Sequence, residues 1–328
     1  MAETGRKVSV GLAREAVRGT AETSADYWIN HLSQSITPQT EKVMNESAVG
    51  VLSTFNDSTG VYEWAEGSIE QKLSDESAGL MLLGAFGTVN SAANADASED
   101  VYDHTFTLSN SNSPQSLTVI RRDAVSNKAY PLGMINNYDL EMELGDYIKH
   151  TADFITAPGV TSTATVTRIK ENEFKPKYAG VKFAANLAGL SGASNLGTVQ
   201  SFRITLNRNV ERDHEAGSNA PYDISVRGIE VSGELVLRYD SNVQEVAYLD
   251  DVKRAMEISI VNTDETIGTS ANPGLVFTAP KVTLESWDLD QTLDDKVTQT
   301  IGFQALYDVD EASQIEAVLT NLVATYTA

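Results

Sequence analysis

Residues 137–156 read NYDLEMELGDYIKHTADFIT, and the chain contains a second version of this stretch. Residues 286–305 read SWDLDQTLDDKVTQTIGFQA, and a shift of 149 residues aligns the two stretches without a gap. Six aligned pairs are identical: Asp139/Asp288, Leu140/Leu289, Leu144/Leu293, Asp146/Asp295, Thr151/Thr300 and Phe154/Phe303. A match of this length within one chain predicts an internal repeat, here a duplicated β domain.

The repeated stretch predicts an antiparallel hairpin with one face in water, because polar and apolar residues alternate along it. Gly145 and Asp146 are suited to the turn of the first hairpin. We expect the apolar side to contain Leu140, Met142, Leu144, Leu289 and Leu293, and the wet side to contain Asp139, Glu141, Glu143, Asp288 and Asp290. From the pattern alone, the acidic side is either an ordinary solvated surface or a surface with a function.

The elements before the first hairpin follow from periodicity. Alternation predicts strands at 7–13, 61–73, 102–108 and 117–121, with a bulge or bend at Gly67. Between them, SAGLMLLGAF predicts a buried helix that Asp75 caps and Gly87 ends. The polar residues 89–100 are expected to form a loop.

The second half repeats this order of elements. Strands are predicted at 202–206, 231–239, 256–261 and 275–277, before the hairpin within 282–307. A helix follows the second of these strands, with a capping box of Ser241 and Gln244. Its apolar stripe is Val243, Val246, Leu249 and Val252. The tail predicts a helix over 312–319 and a short closing strand.

These patterns predict a mainly β protein made of two copies of one β-sandwich or barrel domain, each with one flanking α-helix, joined by an extended linker. The expected boundaries are an N-terminal strand or arm at 1–35, a first domain at 36–157, a linker or arm at 158–200 and a second domain at 201–328. A length of 328 residues fits two domains of ordinary size.

Composition excludes several classes of protein. The 46 acidic and 24 basic residues give a formal charge of −22, which disfavours binding to nucleic acid or to anionic lipid. There is no cysteine, so disulfide and thiolate chemistry are excluded. No apolar run is long enough to cross a membrane, and the first residues lack the apolar core of a signal peptide.

No pattern in the chain predicts catalysis, a metal site or a cofactor site. The four histidines are not at metal-ligand spacing, and the acidic run 288–295 has Leu293 where a calcium loop needs glycine. Gly189, Gly192 and Gly197 lack the lysine of a phosphate loop, and there is no Gly-x-Ser-x-Gly elbow. We therefore expect a protein that is not an enzyme and needs no cofactor.

Four further features carry a family resemblance: Gly11-x-x-x-Glu15-x-x-x-Gly19-Thr20, LLGAFG ending at Gly87, SFRITLNRNVER with VRGIEVSGELVLRY, and the closing run with Asn321 and Tyr326. They resemble the tail tube (major tail) proteins of long, non-contractile-tailed bacteriophages, the siphophages. The resemblance covers most of the chain. It implies β-sandwiches with a flanking helix, which form hexameric rings whose inner sheets join into a barrel, and rings that stack into a tube for DNA.

The resemblance implies that this chain is a structural subunit of a virion tail, assembled in the host cytoplasm. Its implied partners are copies of itself and the tape measure, tail terminator and distal tail proteins, with DNA passing through unbound and no membrane contact. The acidic side of the hairpins would then face the bore. Another self-assembling β protein remains the alternative, such as a decoration, sheath-like or injection-system tube subunit.

The repeat adds an expectation about the number of chains in a ring. Six equivalent domains around a closed bore require three chains if each chain contributes two, which predicts a homotrimeric ring of pseudo-sixfold shape.

Overall fold

The computed structural model describes residues 4–95 and 100–327, which fold into a mainly β structure. The first half contains β1 (Ser9–Arg14), β2 (Tyr27–Ile29), β3 (His31–Gln34), β4 (Thr37–Asn45), β5 (Asp57–Lys72), α1 (Ala78–Phe86), β6 (Gly87–Ala93), β7 (Tyr102–Leu108), β8 (Leu117–Arg122), β9 (Asn127–Glu143), β10 (Lys149–Thr156) and β11 (Val160–Thr161). The second half contains β12 (Ala179–Ala184), β13 (Val199–Asn207), β14 (Val210–Asp213), β15 (Asp223–Val226), β16 (Glu230–Arg238), α2 (Val243–Leu249), β17 (Arg254–Val261), β18 (Gly274–Asp290), β19 (Thr298–Ala305) and β20 (Glu316–Asn321).

One antiparallel ladder runs through both halves of the chain. Its strand order is β4-β5-β10-β9-β13-β16-β19-β18, and we call it the eight-strand sheet. β3 lies in line with β4 and also pairs with β5. The pairing of β9 with β13 joins the half that contains the first hairpin to the half that contains the second.

Two long strands, β9 and β18, each belong to two ladders. Their C-terminal parts lie in the eight-strand sheet, and their N-terminal parts pair with other strands. The N-terminal part of β9 pairs with β8 and β11, and β8 pairs with β1. The N-terminal part of β18 pairs with β17 and β20, and these pair in turn with β12 and β7.

The hydrophobic core lies between these ladders and contains side chains from both halves of the chain. The helix α1 is buried at every residue and contacts β1, β6, β7 and β9. Since α1 is apolar on all sides, it is stable only where strands cover it all round.

The start of α1 differs from the prediction, whereas its end agrees with it. Ser77 takes the N-cap position, but its side chain makes no capping hydrogen bond to the helix backbone. The Asp75 carboxylate instead accepts from Asn172, and Glu171 Oε1 accepts from the Ser77 amide at 2.5 Å. The C-terminus is capped by Gly87, with φ 89°, as expected.

The other helix also lacks its predicted cap. Asn242 occupies the N-cap of α2, without a side-chain cap. Gln244 does not complete a capping box with Ser241, since its Oε1 accepts from Arg254 Nη2 at 2.6 Å. Of the predicted apolar stripe, Val243, Val246 and Leu249 lie on α2 and Val252 lies beyond its end. All four are exposed.

The prediction of a helix over 312–319 was wrong, because that segment leads into strand β20. Ile315, Ala317 and Leu319 alternate into the core. β20 lies between β18 and β7, so both of its edges are hydrogen-bonded. Two ladders outweigh the weak local preference for helix.

The structure also differs from two predictions about irregular segments, the loop at 89–100 and the bulge or bend at Gly67. Residues 89–93 belong to β6, whereas residues 96–99 of the predicted loop lie outside the described residues. At Gly67 the pairing of β5 with β10 continues without a register shift, so no bulge forms there. A Cβ at Gly67 would lie 2.4 Å from the carbonyl oxygen of Ser35, so close backbone approach accounts for the glycine.

Candidate functional site

The five acidic residues singled out in the sequence lie on the solvent side of the eight-strand sheet. Asp139, Glu141 and Glu143 alternate in β9 with Tyr138, Leu140 and Met142, which are buried. In β18, Asp288 and Asp290 lie on the same side as their ladder partners Thr300 and Thr298. Alternation therefore predicted the side of the sheet correctly for all five.

Two leucines do not lie where the alternation placed them. Leu144 is 52% exposed and Leu293 is 89% exposed, because each lies beyond the end of its strand. Next to Leu144, Gly145 has φ 96° and begins the reversal into β10.

The two acidic segments share one surface, which we call the polar face. It is the solvent side of the eight-strand sheet, and ladder pairing carries it from β9 across β13, β16 and β19 to β18. Its acidic members include Glu66, Glu70, Asp139, Glu141, Glu143, Asp153, Glu230, Glu234, Asp288 and Asp290. Its basic members include Lys72, Lys149, Arg203 and Arg238.

Basic residues on the polar face were missed by the sequence reasoning. The Arg203 guanidinium donates to Asp139 Oδ1 at 3.1 Å, and Thr205 Oγ1 donates to the same oxygen at 2.5 Å. Phe202, Ile204 and Leu206 alternate into the core, so the sequence could have placed Arg203 on the wet side. The face is therefore acidic on balance, with cations among the carboxylates.

Two carboxylates of the polar face have shifted pKa values. Burial raises the pKa of Asp153, and the nearby charge of Asp139 raises it further. Hydrogen bonds from the side chain and amide of Thr292 lower the pKa of Asp290. Asp290 is therefore fully charged at neutral pH.

A hydrogen-bonded polar pair lies beneath each hairpin, buried in the first and partly buried in the second. Tyr138 Oη and His150 Nδ1 are 3.1 Å apart, and Gln71 Nε2 lies 2.6 Å from His150 Nε2. At the aligned positions of the second hairpin, Trp287 Nε1 donates to Gln299 Oε1 at 3.0 Å. Burial lowers the pKa of His150 to about 3, so this ring is neutral in the folded protein.

The motif Gly11-x-x-x-Glu15-x-x-x-Gly19 near the N-terminus has a structural role. The Glu15 carboxylate is buried and accepts hydrogen bonds from the amides of Gly19 and Leu132 and the hydroxyls of Ser116 and Thr118. Four donors compensate for the burial of the charge. The motif thus fixes the N-terminal segment on β8 and β9.

Both ends of the eight-strand sheet have an unpaired edge. Within residues 4–95 and 100–327, β4 pairs only with β5, and the end of β18 from Ser286 to Asp290 pairs only with β19. The helix α2 contacts β18 and has an exposed apolar stripe. Unpaired edges and uncovered apolar side chains are features of an interaction surface.

Chemical sites are not evident in the described part of the chain. No group of three or more histidine, aspartate or glutamate side chains there could hold a metal ion. Among the described helices, none has both the length and the apolar character needed to cross a membrane.

Comparison with known proteins identifies one family. A family model described as "Phage tail tube protein" matches residues 5–305. No curated protein matches the chain.

Proposed function

The chain belongs to the phage tail tube proteins, a family of structural proteins and not of enzymes, and we propose that it assembles with copies of itself into stacked rings around a channel for DNA. The observation that carries this proposal is the eight-strand sheet, with its acidic polar face and two unpaired edges. A sheet of this kind closes into a barrel when its edges meet those of neighbouring copies.

The polar face is proposed to line the channel. DNA binds proteins mainly by exchanging its counterions for lysine and arginine, and carboxylates offer no such exchange. An excess of acidic side chains around the bore would repel the phosphates and let DNA slide. We assign Asp139, Glu141, Glu143, Asp288 and Asp290 to this wall.

The two halves of the chain are proposed to be two tube domains, at 36–157 and 201–328. Detailed agreement between their ladders supports this. The hairpin of β9 and β10 has its register shift at Asn136, and the hairpin of β18 and β19 has its own at Glu285, again 149 residues apart. Gly67 faces Phe154 in the first ladder, and Gly233 faces Phe303 in the second.

Two domains per chain lead to a ring of three chains with pseudo-sixfold symmetry. Stacked rings would form the tail of a virion with a long, non-contractile tail, assembled in the host cytoplasm. The tape measure, tail terminator and distal tail proteins are the proposed partners inside the tube and at its two ends.

The long hairpin of β4 and β5 is suited to reach a neighbouring ring. The outer end of this hairpin, residues 40–59, is exposed throughout and includes apolar side chains. Val43, Met44, Val49, Val51, Leu52 and Phe55 are all at least half exposed. An apolar arm of this kind gains stability by packing on another copy.

Electron microscopy of the purified protein tests the proposal. We expect hollow tubes or rings, and cross-sections with threefold symmetry and six similar density lobes. Monodisperse monomers under all assembly conditions would contradict the proposed function. Six whole chains per ring would leave the tube in place but overturn the two-domain assignment.

A further inference from the structure

The chain contains one complete joint between its two halves. β9 and β13 pair over seven residues, from Asn137 opposite Asn207 to Glu143 opposite Ser201. The Asp139 side chain links the two strands, because it accepts hydrogen bonds from Arg203 and Thr205 of β13. Strand β13 of the second half thus pairs with β9, the first strand of the hairpin in the first half.

Strand β13 has a counterpart at the start of the first half. β13 pairs with β16 with a register shift between Val199 and Ser201. The segment formed by β3 and β4 pairs with β5 with a shift between His31 and Ser33, each 168 residues earlier. A Cβ on Gly233 would meet the Arg203 carbonyl at 2.3 Å, as one on Gly67 would meet that of Ser35. β3–β4 therefore occupies the place in the first half that β13 occupies in the second.

The helices of the two halves also differ, because only the helix of the first half is covered by other elements. The helix α1 of the first half is wholly buried, partly against β7, which pairs with β20 of the second half. The corresponding helix α2 exposes Val243, Val246 and Leu249. Among the described residues, the second half thus ends in an unpaired strand and an uncovered helix, at positions that are paired and covered in the first half.

We propose that β18 of one chain pairs antiparallel with β3–β4 of the next copy, in the register of the internal β9–β13 joint. The two offsets of 149 and 168 residues place Asp288 opposite Thr37, and Asp290 opposite Ser35. Asp288 then accepts from Thr37 as Asp139 accepts from Thr205. The neighbouring chain also covers the apolar stripe of α2. This inference rests on the proposed ring assembly and specifies its contact.

The proposed joint contains fewer hydrogen bonds than the internal one. In the internal joint, Ile204 faces Leu140 and Leu206 faces Tyr138. The matching residues of the next chain are Ile36 and Pro38, opposite Leu289 and Trp287. Pro38 has no N–H, so the ladder lacks one hydrogen bond there. The Ile36 carbonyl accepts from Arg121 Nη1 at 2.8 Å and keeps one lone pair for the Leu289 amide. Burial of the α2 stripe supplies apolar area in addition to the ladder.

Cysteine cross-linking tests the register, because the chain has no native cysteine. Ser35 and Asp290 form a pair that is not directly hydrogen-bonded, for which the Cα separation is about 4.5 Å, within the range a disulfide spans. A Ser35→Cys chain mixed with an Asp290→Cys chain, assembled and oxidised, is expected to give disulfide-linked dimers. Each single variant alone is expected to give none.

The double variant Ser35→Cys/Asp290→Cys should give covalent species that end at three chains. The mismatched pair Ser33→Cys and Asp288→Cys, four residues out of register, should not cross-link. Dimers from Asp290→Cys alone would overturn the proposal, because they would mean that β18 pairs with β18. So would a stronger link in the mismatched pair.

Hydrogen exchange on the wild-type protein provides a test without substitutions. The Leu289 amide is expected to exchange about tenfold or more slowly in tubes than in free chains. Tubes in which this amide stays unprotected and Ser35→Cys does not link to Asp290→Cys would overturn the pairing and leave the tube function intact. A wild-type protein that forms neither rings nor tubes would overturn the function itself.

Discussion

At the scale of single residues, two glycines control how closely the strands of each half approach. Gly67 has φ 152° and lies against the backbone of Ser35, and Gly233 lies against that of Arg203. A side chain at either position would force two ladder strands apart, because the nearest atom is a carbonyl oxygen that cannot move alone.

We expect Gly67→Ala to destabilise the protein by about 2–4 kcal/mol, since it combines an unfavourable φ with backbone overlap. Gly60→Ala in the same strand is the matched control, because the nearest atom to its Cβ would be Thr40 Oγ1 at 3.5 Å. Urea unfolding of the free chain measures both. Equal stabilities of the two variants would contradict this account.

The second residue-scale prediction concerns acid stability and His150. Its pKa falls from 6.5 to about 3 on folding, so the unfolded chain binds a proton that the folded chain does not. This group therefore causes stability to fall as pH drops below 6.5, by about 2 kcal/mol between pH 6.5 and 4.5.

His150→Gln removes this titration and introduces the residue found at the aligned position, Gln299. We expect the variant to lose about 2 kcal/mol less stability than the wild type over the same pH interval. Chemical unfolding at a series of pH values measures the difference. Parallel pH profiles for the two proteins would show that His150 is not the group responsible.

At the scale of elements, alternation was the most informative pattern in the sequence. It placed the repeated hairpins and the five acidic residues on the correct sides of their strands. It failed at strand ends, where Leu144 and Leu293 lie beyond β9 and β18 and are exposed. It also missed β20, since only pairing with β18 and β7 fixes that segment as a strand.

The candidate site could be predicted only in part, because a surface depends on which strands are neighbours. The sequence identified the acids of β9 and β18 and a strand at 202–206, but not that this strand, β13, pairs with β9 between the hairpins. Arg203 therefore remained unconnected to Asp139 until the pairing of the two strands was known. The unpaired edges likewise follow from the whole ladder and not from any single strand.

An element-scale prediction addresses the polar face. Glu141→Lys with Glu143→Lys reverses two exposed charges of β9 without touching the proposed joint between chains. We expect tubes to assemble normally and triggered DNA ejection from virions to slow several-fold, because lysines in the bore exchange with DNA counterions.

Asp310→Lys with Glu311→Lys is the control for this variant, because it changes the net charge equally at exposed positions outside the eight-strand sheet. Ejection kinetics followed with a DNA-binding dye distinguish the two. Loss of assembly in the β9 variant alone would assign this face to an interface between subunits.

At the scale of the whole molecule, the charge of −22 opposes self-association. Chains of like charge repel until salt screens them, and the screening length falls from about 30 Å at 0.01 M to about 8 Å at 0.15 M. We therefore expect tube formation to accelerate over this range of ionic strength, as measured by light scattering. Slower assembly at the higher salt would indicate that ion pairs dominate the contacts between chains.

Pro38, at the edge of the first half, affects how errors in tube assembly would be corrected. Within a chain, the two halves are tethered, so their joint forms during folding at a high effective concentration. In the proposed joint between chains, Pro38 leaves the ladder one hydrogen bond short, and the contact must form by collision. A misplaced chain would therefore detach without unfolding. Misplaced chains would then be replaced while the tube grows. Mild heating would release folded chains that can assemble again.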